Sequence, residues 1–511
     1  MKFKNLMGTF CLFFTFSMEG EAATTKSIWA PVVMGDAHVM FVAVEVKIVY
    51  GIDAIMAYAE NSSNRTPVVA DYTKAGVLNV DSRNINQINS IIRQKSKNEV
   101  NTKAKIQMIV NNAQHEISIE KILEYASNRS QAKPTFDDYK RAGISCLRQS
   151  RVQEVNSKIR ALQSVESLFG VQSIVNGVEN VVPLILDNDA FDPDWVIMLS
   201  ATIGLDASCE ADLLGVLLTG RDINRKQGKL YSSILHYYKK KEISIGLNYQ
   251  QTMRSYSIDA TTEVPRHIDY KGTASNIDQF ASDQCTDYNT CWGRLESTWM
   301  MCYILEHSEE KLTWVIGGHL HNIANLLRET NVCNGKELIS RKVKEIVISS
   351  GWSDRTSAKP EMNLSEGRRS ATSASEASRY LFQNRPANVP IVIATVPNSG
   401  MLNARVGDIY RRNEFANTPM AFIMSVPRYG VYGDHGLSDT EALLYAVRDT
   451  RASNGSVYKS KIKTCFHINS YGAVKIGSDC GKEDYYLEKR TSDYVKILDS
   501  EVYNLINRVM P

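Results

Sequence analysis

The chain is poor in the signatures that mark a specialised chemistry. It contains no CxxC pair anywhere, so the close ligand spacing of a structural zinc site is missing. No GxGxxG, Walker loop, HExxH or GxSxG occurs, which removes dinucleotide, P-loop, zincin and serine-hydrolase readings as far as motifs can. It also lacks a charge excess: 59 Lys and Arg against 56 Asp and Glu leave a net +3, too balanced for field-driven binding to nucleic acid. Beyond the first residues no uncharged apolar run reaches the ~18 residues that span a bilayer. The best stretch, residues 32–50, is interrupted by Asp36, Glu45 and Lys47.

What is present is ordinary globular material. Hydrophobic residues make up 43% and charged residues 23% of 511 positions, enough for a sizeable core and for two to four domains. The start reads as a secretory signal: Met1-Lys2-Phe3-Lys4, an apolar centre from Leu6 to Met18, and small residues ending at Ala22. Residues 1–22 are therefore expected to be removed from a secreted or periplasmic protein, and 23–50 receive no assignment. Of nine cysteines, Cys11 lies in that signal. The remaining even number suits disulfides in an oxidising compartment, with the sequence-local pairs Cys285 with Cys291 and Cys465 with Cys480 as first candidates.

Residues 51–177 contain an internal repeat. Ile52 to Asn61 matches Ile119 to Asn128 at an offset of 67 residues. The same offset pairs Pro67 with Pro134, Asp71-Tyr72 with Asp138-Tyr139, Ala75-Gly76 with Ala142-Gly143, and Asn89 with Asn156. Each unit predicts a short helix, a proline-preceded helix that ends at its glycine, and a longer helix such as Ser82 to Lys95, apolar at helical spacing. Asp71 and Asp138 fall at helix starts, where carboxylates cap, so they are read as structural. The unit resembles the "PT-x-x-DY-x-x-AG" helical repeats of bacterial exported and surface proteins, which implies a stacked spacer or a module for a protein or surface partner.

From Val181 the pattern changes to strand-length apolar runs alternating with helices. The strands are expected at Val181–Leu186, Leu213–Leu218, Glu242–Leu247, Leu312–Ile316, Lys344–Ser349 and Val389–Thr395. Helices are expected between them at Trp195–Leu205, Arg225–Lys240, Leu295–Glu306, Asn322–Glu329 and Ser375–Gln383. This is an α/β fold with a doubly wound, mostly parallel sheet over residues 178–511, preceded by the small all-α repeat domain. Such sheets bind ligands beyond the carboxyl ends of their strands. There the first strand runs into Asp187-Asn188-Asp189-Ala190-Phe191-Asp192-Pro193-Asp194, four carboxylates in eight residues. They suit a hard cation, calcium or magnesium, or form a solvated acidic turn.

Five collinear pieces of the chain resemble the inosine-uridine-preferring nucleoside hydrolases. They are the acidic loop, Gly318 to Ala324 (GHLHNIA), Val343 to Gly351 (VKEIVISSG), Pro360 to Asn363 (PEMN) and Leu437 to Ala446 (LSDTEALLYA). The resemblance implies hydrolysis of the N-glycosidic bond of a nucleoside or related ribosyl compound, with Ca2+ as cofactor and a homo-oligomeric assembly. It places Asp189, Asp194 and Asp439 on the metal through carboxylates and His321 through its carbonyl oxygen, with Asp189 also the base toward water. Glu361 and Asn363 would grip ribose hydroxyls, and Asp222 falls near the family's ribose-binding asparagine. Two departures stand out. Pro193 replaces a ribose-binding aspartate, and Ser438 replaces the leaving-group histidine; His435 and His267 are the alternative acids. These departures favour a second reading, a non-catalytic ribosyl-ligand-binding or effector protein on the same fold. A third reading is a structural surface protein in which the repeats do the work.

Overall fold

The structure, a computed structural model, describes residues 24–34, 38–48, 51–128, 130–188, 194–219, 226–240, 243–248, 296–350, 362–365, 373–394, 418–424, 437–450, 457–470, 472–477, 482–489 and 494–509. It divides into two compact units, Met1–Gly143 and Ile144–Pro511. That division falls inside the stretch 51–177, at the glycine ending the second proline-preceded helix.

In the first unit β1 (Thr24–Met34) and β2 (His38–Ile48) pair antiparallel from Thr24 opposite Ile48 to Met34 opposite His38. The helices α1 (Ile52–Glu60), α2 (Val69–Lys74), α3 (Ile85–Ile92), α4 (Lys103–Ser127) and α5 (Phe136–Arg141) follow. Both repeated aspartates cap. Asp71 accepts the Val68 N–H at 2.8 Å, while Asp138 accepts the Thr135 N–H at 2.7 Å and the Thr135 hydroxyl accepts the Asp138 N–H in return. Gly76 and Gly143 hold φ of 70° and 81°, the left-handed conformation in which a side chain is strained. The remaining motif positions are linked as well: Tyr72 donates to Asn89 Oδ1 at 2.6 Å, and Asn89 donates to the Pro67 carbonyl at 2.8 Å. Around this buried polar bridge pack Ile55, Tyr72, Ile88, Ile92, Ile106 and Val110. The helix expected over Ser82 to Lys95 is trimmed at its start because the Asn84 side chain accepts the Asp81 N–H instead of continuing the helix.

The second unit begins with α6 (Val152–Ala161) and α7 (Leu168–Glu179) and then builds the sheet. Its strands are β3 (Val182–Asn188), β4 (Ala211–Leu218), β5 (Ser244–Leu247), β6 (Leu312–Ile316), β7 (Val343–Ser349), β8 (Ile391–Ala394), β9 (Tyr458–Ile468), β10 (Val474–Gly477) and β11 (Asp484–Lys489). They lie in the order β10-β9-β11-β8-β7-β6-β3-β4-β5, and every pairing from β11 to β5 is parallel. The fold is therefore the expected α/β one. Its described helices are α8 (Asp194–Ala207), α9 (Lys226–Tyr237), α10 (Ser297–His307), α11 (His321–Arg328), α12 (Gly335–Lys342), α13 (Met362–Ser365), α14 (Ser373–Asn384), α15 (Pro419–Met424), α16 (Ser438–Arg448) and α17 (Tyr494–Val509). Strand alternation sends Leu184 and Leu186 into one core with α8, α16 and α17, and Ile185 into the other with α10 and α11. The sheet is thus covered on both faces, which is why its central strands read as unbroken apolar runs.

Strands β9 to β11 escape that pattern. β9 alternates polar and apolar residues and is half-exposed along much of its length, and it runs antiparallel to β11 at the end of the sheet. Beside it β11 carries a fully buried ion pair between Asp484 and Arg385, with Arg385 also donating to the Val389 carbonyl and Asp484 accepting the Phe466 N–H of β9 at 3.4 Å. Among the described residues no helix is long and apolar enough to cross a membrane. Two disulfides join described cysteines that the sequence alone did not pair. Cys146 is bonded to Cys209 and Cys302 to Cys333, at separations of 63 and 31 residues, because the fold brings their Cα atoms to 5.5 and 5.9 Å. Cys465 is also disulfide-bonded. Cys285, Cys291 and Cys480 lie outside the described residues.

Two stability tests follow from these buried charges. Asp484→Ala leaves the Arg385 guanidinium buried without its carboxylate, and the urea midpoint of the second unit should fall by the equivalent of about 3–5 kcal/mol. An unchanged midpoint would refute the ion pair's role. Asp212, on β4, accepts Asn176 Nδ2 at 2.6 Å, and burial together with the neighbouring Asp206 raises its pKa from 3.8 to about 6. A raised carboxyl pKa means the folded state prefers the protonated form, so this contribution is complete below pH 3.8 and is lost as pH rises through about 6. Asp212→Asn should flatten the stability profile across that window, measured by denaturant titration at each pH.

Candidate functional site

The order of strands sets where a site can form. From β3 the chain moves outward to β4 and β5, then returns to the other side of β3 to lay down β6, β7 and β8. The switch point lies between β3 and β6, and sheets of this kind bind ligands there, beyond the carboxyl ends of the strands. β3 ends in Asp187-Asn188, and after β6 come Gly317, Gly318, His319 and Leu320 before α11. The first turn of α16 packs over the same edge.

Asp194 and Asp439 meet there from positions 245 residues apart. The Asp439 N–H donates to Asp194 Oδ2 at 2.8 Å, the Ser438 hydroxyl donates to the same oxygen at 3.3 Å, and the Thr440 hydroxyl donates to Oδ1 at 3.0 Å. Asp194 is therefore the cap of α16, whose own flanking residue Leu437 supplies none. It is equally the first residue of α8, so one carboxylate joins two helix N-termini. Both acids are buried. The charge on Asp194 is stabilised by the N–H and two hydroxyls aimed at it and by the positive ends of the two helices.

The floor of the site is a second hydrogen-bonded layer. Asn188 donates to Asp439 Oδ2 at 3.2 Å and is fixed against Met198 Sδ at 3.4 Å. A Cβ built on Gly317 would stand 2.6 Å from Asp439 Oδ2 and 2.8 Å from Asn188 Nδ2, so only glycine lets the carboxylate settle on that strand end. Asp187, fully buried, accepts Asn322 Nδ2 at 2.8 Å and Trp314 Nε1 at 3.3 Å, which anchors the start of α11 to β3 and β6. His321, the first residue of α11, is fully buried; burial first, then the neighbouring His319, pulls its pKa down to about 3 and keeps the ring neutral. Asn363 donates to the carbonyls of Ser349 at 2.6 Å and Gly317 at 3.2 Å, and its own carbonyl is hydrogen-bonded to His319 Nδ1 at 3.2 Å.

Of the residues named from sequence, Asp194, Asp439, His321 and Asn363 stand at this one strand edge. Asp189, Asp222 and Glu361 lie outside the described residues, as do Pro193, His435 and His267. Among the described residues no group of three or more His, Cys, Asp and Glu side chains is arranged to hold a metal ion. The sequence gives no signal for the roles of Asn188, Thr440 and Asn322, and Asp187, one of the four acids of the loop, is taken up by Asn322 and Trp314. For Gly317 the Gly317-Gly318 doublet at a strand end was a usable signal of close approach; a cap supplied from 245 residues away leaves none.

No family model matches this chain, and no curated protein is similar to it at a significant level. Several solved structures are similar in fold. An inosine-uridine preferring nucleoside hydrolase from Bacillus anthracis aligns with 63% of this chain and 99% of its own at 14% identity and a TM-score of 0.45. The type III effector protein XopQ, solved in complex with adenosine diphosphate ribose, aligns with 65% of this chain and 95% of its own at 13% identity and a TM-score of 0.47. A purine-preferring ribonucleoside hydrolase from Gardnerella vaginalis aligns over 63% and 99% at 16% identity and a TM-score of 0.44.

The cap is directly testable. Asp194→Ala strands one N–H and two hydroxyls at once and should lower unfolding free energy by roughly 2–3 kcal/mol, whereas Thr440→Val, which removes a single donor, should cost roughly 1 kcal/mol. Equal effects of the two changes on the urea midpoint would contradict the assignment of Asp194 as the shared acceptor.

Proposed function

We propose that this chain is an exported N-ribosyl hydrolase, cleaving the N-glycosidic bond of nucleosides or related ribosyl compounds with Ca2+ as cofactor. The observation that carries the reading is the meeting of Asp194 with Asp439, two of the acids named by the resemblance, at the switch point of the sheet. The donor chemistry there suits a hard cation: carboxylate and carbonyl oxygens, a neutral buried imidazole at His321, and no thiolate among the residues named. Asp189, Asp194 and Asp439 would hold the ion through carboxylates and His321 through its carbonyl. Calcium, when bound, supplies a positive centre that lowers the pKa of water. Asp189 would take the water's proton, while Glu361, Asn363 and Asp222 would orient the sugar hydroxyls. Asn188 would hold the Asp439 carboxylate in its orientation. The disulfides Cys146–Cys209 and Cys302–Cys333 support an oxidising compartment, hence export.

One observation favours the alternative of ribosyl-ligand binding without turnover. Ser438, which stands where the resembling family has its leaving-group histidine, directs its hydroxyl to Asp194 and so serves the cap. In that reading the helices of residues 51–177 would bind a protein or surface partner.

Incubation of the chain without residues 1–22 with inosine, uridine, adenosine, guanosine and cytidine plus calcium should release free ribose. Asp189→Ala should lower the rate by roughly 10²–10⁴-fold. Saturable nucleoside or ADP-ribose binding by calorimetry with no ribose released would transfer the conclusion to the binding reading; neither binding nor release would refute both.

A further inference from the structure

α16 carries Asp439 into the site at its first turn, and the same turn carries a buried acid that the site does not use. Glu441 is 1% exposed, and its Oε2 accepts the Tyr458 hydroxyl at 3.2 Å and lies 2.5 Å from Lys489 Nζ. The Lys489 ammonium stands over the Tyr494 ring at 4.9 Å, and its side chain is almost wholly buried. One helical turn further, the pattern recurs. Glu345 Oε2 accepts the Tyr445 hydroxyl at 3.4 Å and Lys461 Nζ at 3.0 Å, and that ammonium stands over the Tyr485 ring at 4.4 Å. The two clusters adjoin where Tyr445 and Tyr458 meet edge to face at 6.1 Å. Lys461 and Tyr458 belong to β9, Lys489 and Tyr485 to β11, so the antiparallel extension of the sheet is bolted to α16 through desolvated charge.

We propose that Glu441 and Lys489 are positioning residues: their buried ion pair fixes the first turn of α16 against β11 and thereby holds Asp439 in register with Asp194 and Asn188. The physical ground is the cost of separation. Once the pair is desolvated, either partner alone would be a buried uncompensated charge, so the turn cannot lift away from β11 without exposing both to water. By contrast, the Lys463–Glu483 pair on the same extension is exposed and should hold nothing in place. The inference rests on the proposed function only for what the Asp194–Asp439 pair does, not for how it is held.

Hydrogen exchange in the full chain, read by mass spectrometry on peptides, tests it without any ligand. The Asp439 N–H donates to Asp194, so its protection reports the clamp itself. Lys489→Met should raise exchange in the peptide spanning 437–443 by roughly tenfold or more while peptides from β3 and β6 stay at the wild-type rate. The double variant Glu441→Gln with Lys489→Met removes both charges and should return the 437–443 peptide toward wild type. Lys463→Met should change nothing. Unchanged exchange at 437–443 in Lys489→Met, or an equal rise in β3 and β6, would overturn the proposal. If ribose release is absent from the wild-type chain while Lys489→Met still opens 437–443 selectively, the functional reading fails and the positioning role stands.

Discussion

One carboxylate organises the edge of the sheet. Asp194 starts α8 and terminates the unsatisfied donors of α16, and it does so deep enough in the protein that those donors have no water to turn to. A helix end that depends on a residue so remote in the chain is ordered only when the whole sheet has formed. The arrangement at the switch point is therefore a product of global folding, and its acids keep their relative positions through a network of neutral amides: Asn188, Asn322 and Asn363, each spending its NH2 group on a carboxylate or a strand-end carbonyl.

Much of the architecture was legible because of burial on two faces. Strands β3, β4, β6, β7 and β8 are covered by helices on both sides, so their sequences read as apolar runs bounded by polar turns, and their positions can be read to within a residue or two. β9 and β11 sit at the end of the sheet with many half-exposed positions, and Lys459, Lys461 and Lys463 interrupt β9. Their charges look like a solvated loop until the partners Glu345 and Glu441 are seen. The hairpin of β1 and β2 was likewise illegible, its alternation being irregular.

The site was legible only in part, and for a different reason. Asp194, Asp439, His321 and Asn363 could be named because short motifs resemble those of a known family. The residues that orient them could not, since hydrogen bonds that cross the sheet leave no spacing rule in the chain. Gly317 illustrates the limit: its role comes from a carboxylate brought over it by a helix more than a hundred residues later. Asp189, Asp222 and Glu361 were named in the same way and lie outside the described residues. Cys146–Cys209 and Cys302–Cys333 were not named, because cysteines 63 and 31 residues apart leave no spacing signal in the chain.

The long helix α4 changes what the repeat in the first unit amounts to. The stretch matching α1 is the final third of a 25-residue helix whose first half contributes Ile106, Ile109, Val110 and Ala113 to the core around Tyr72 and Ile88. A boundary drawn between the two copies would cut a continuous rod along its buried seam. Excision of either copy alone would thus leave an open apolar stripe where the other had packed.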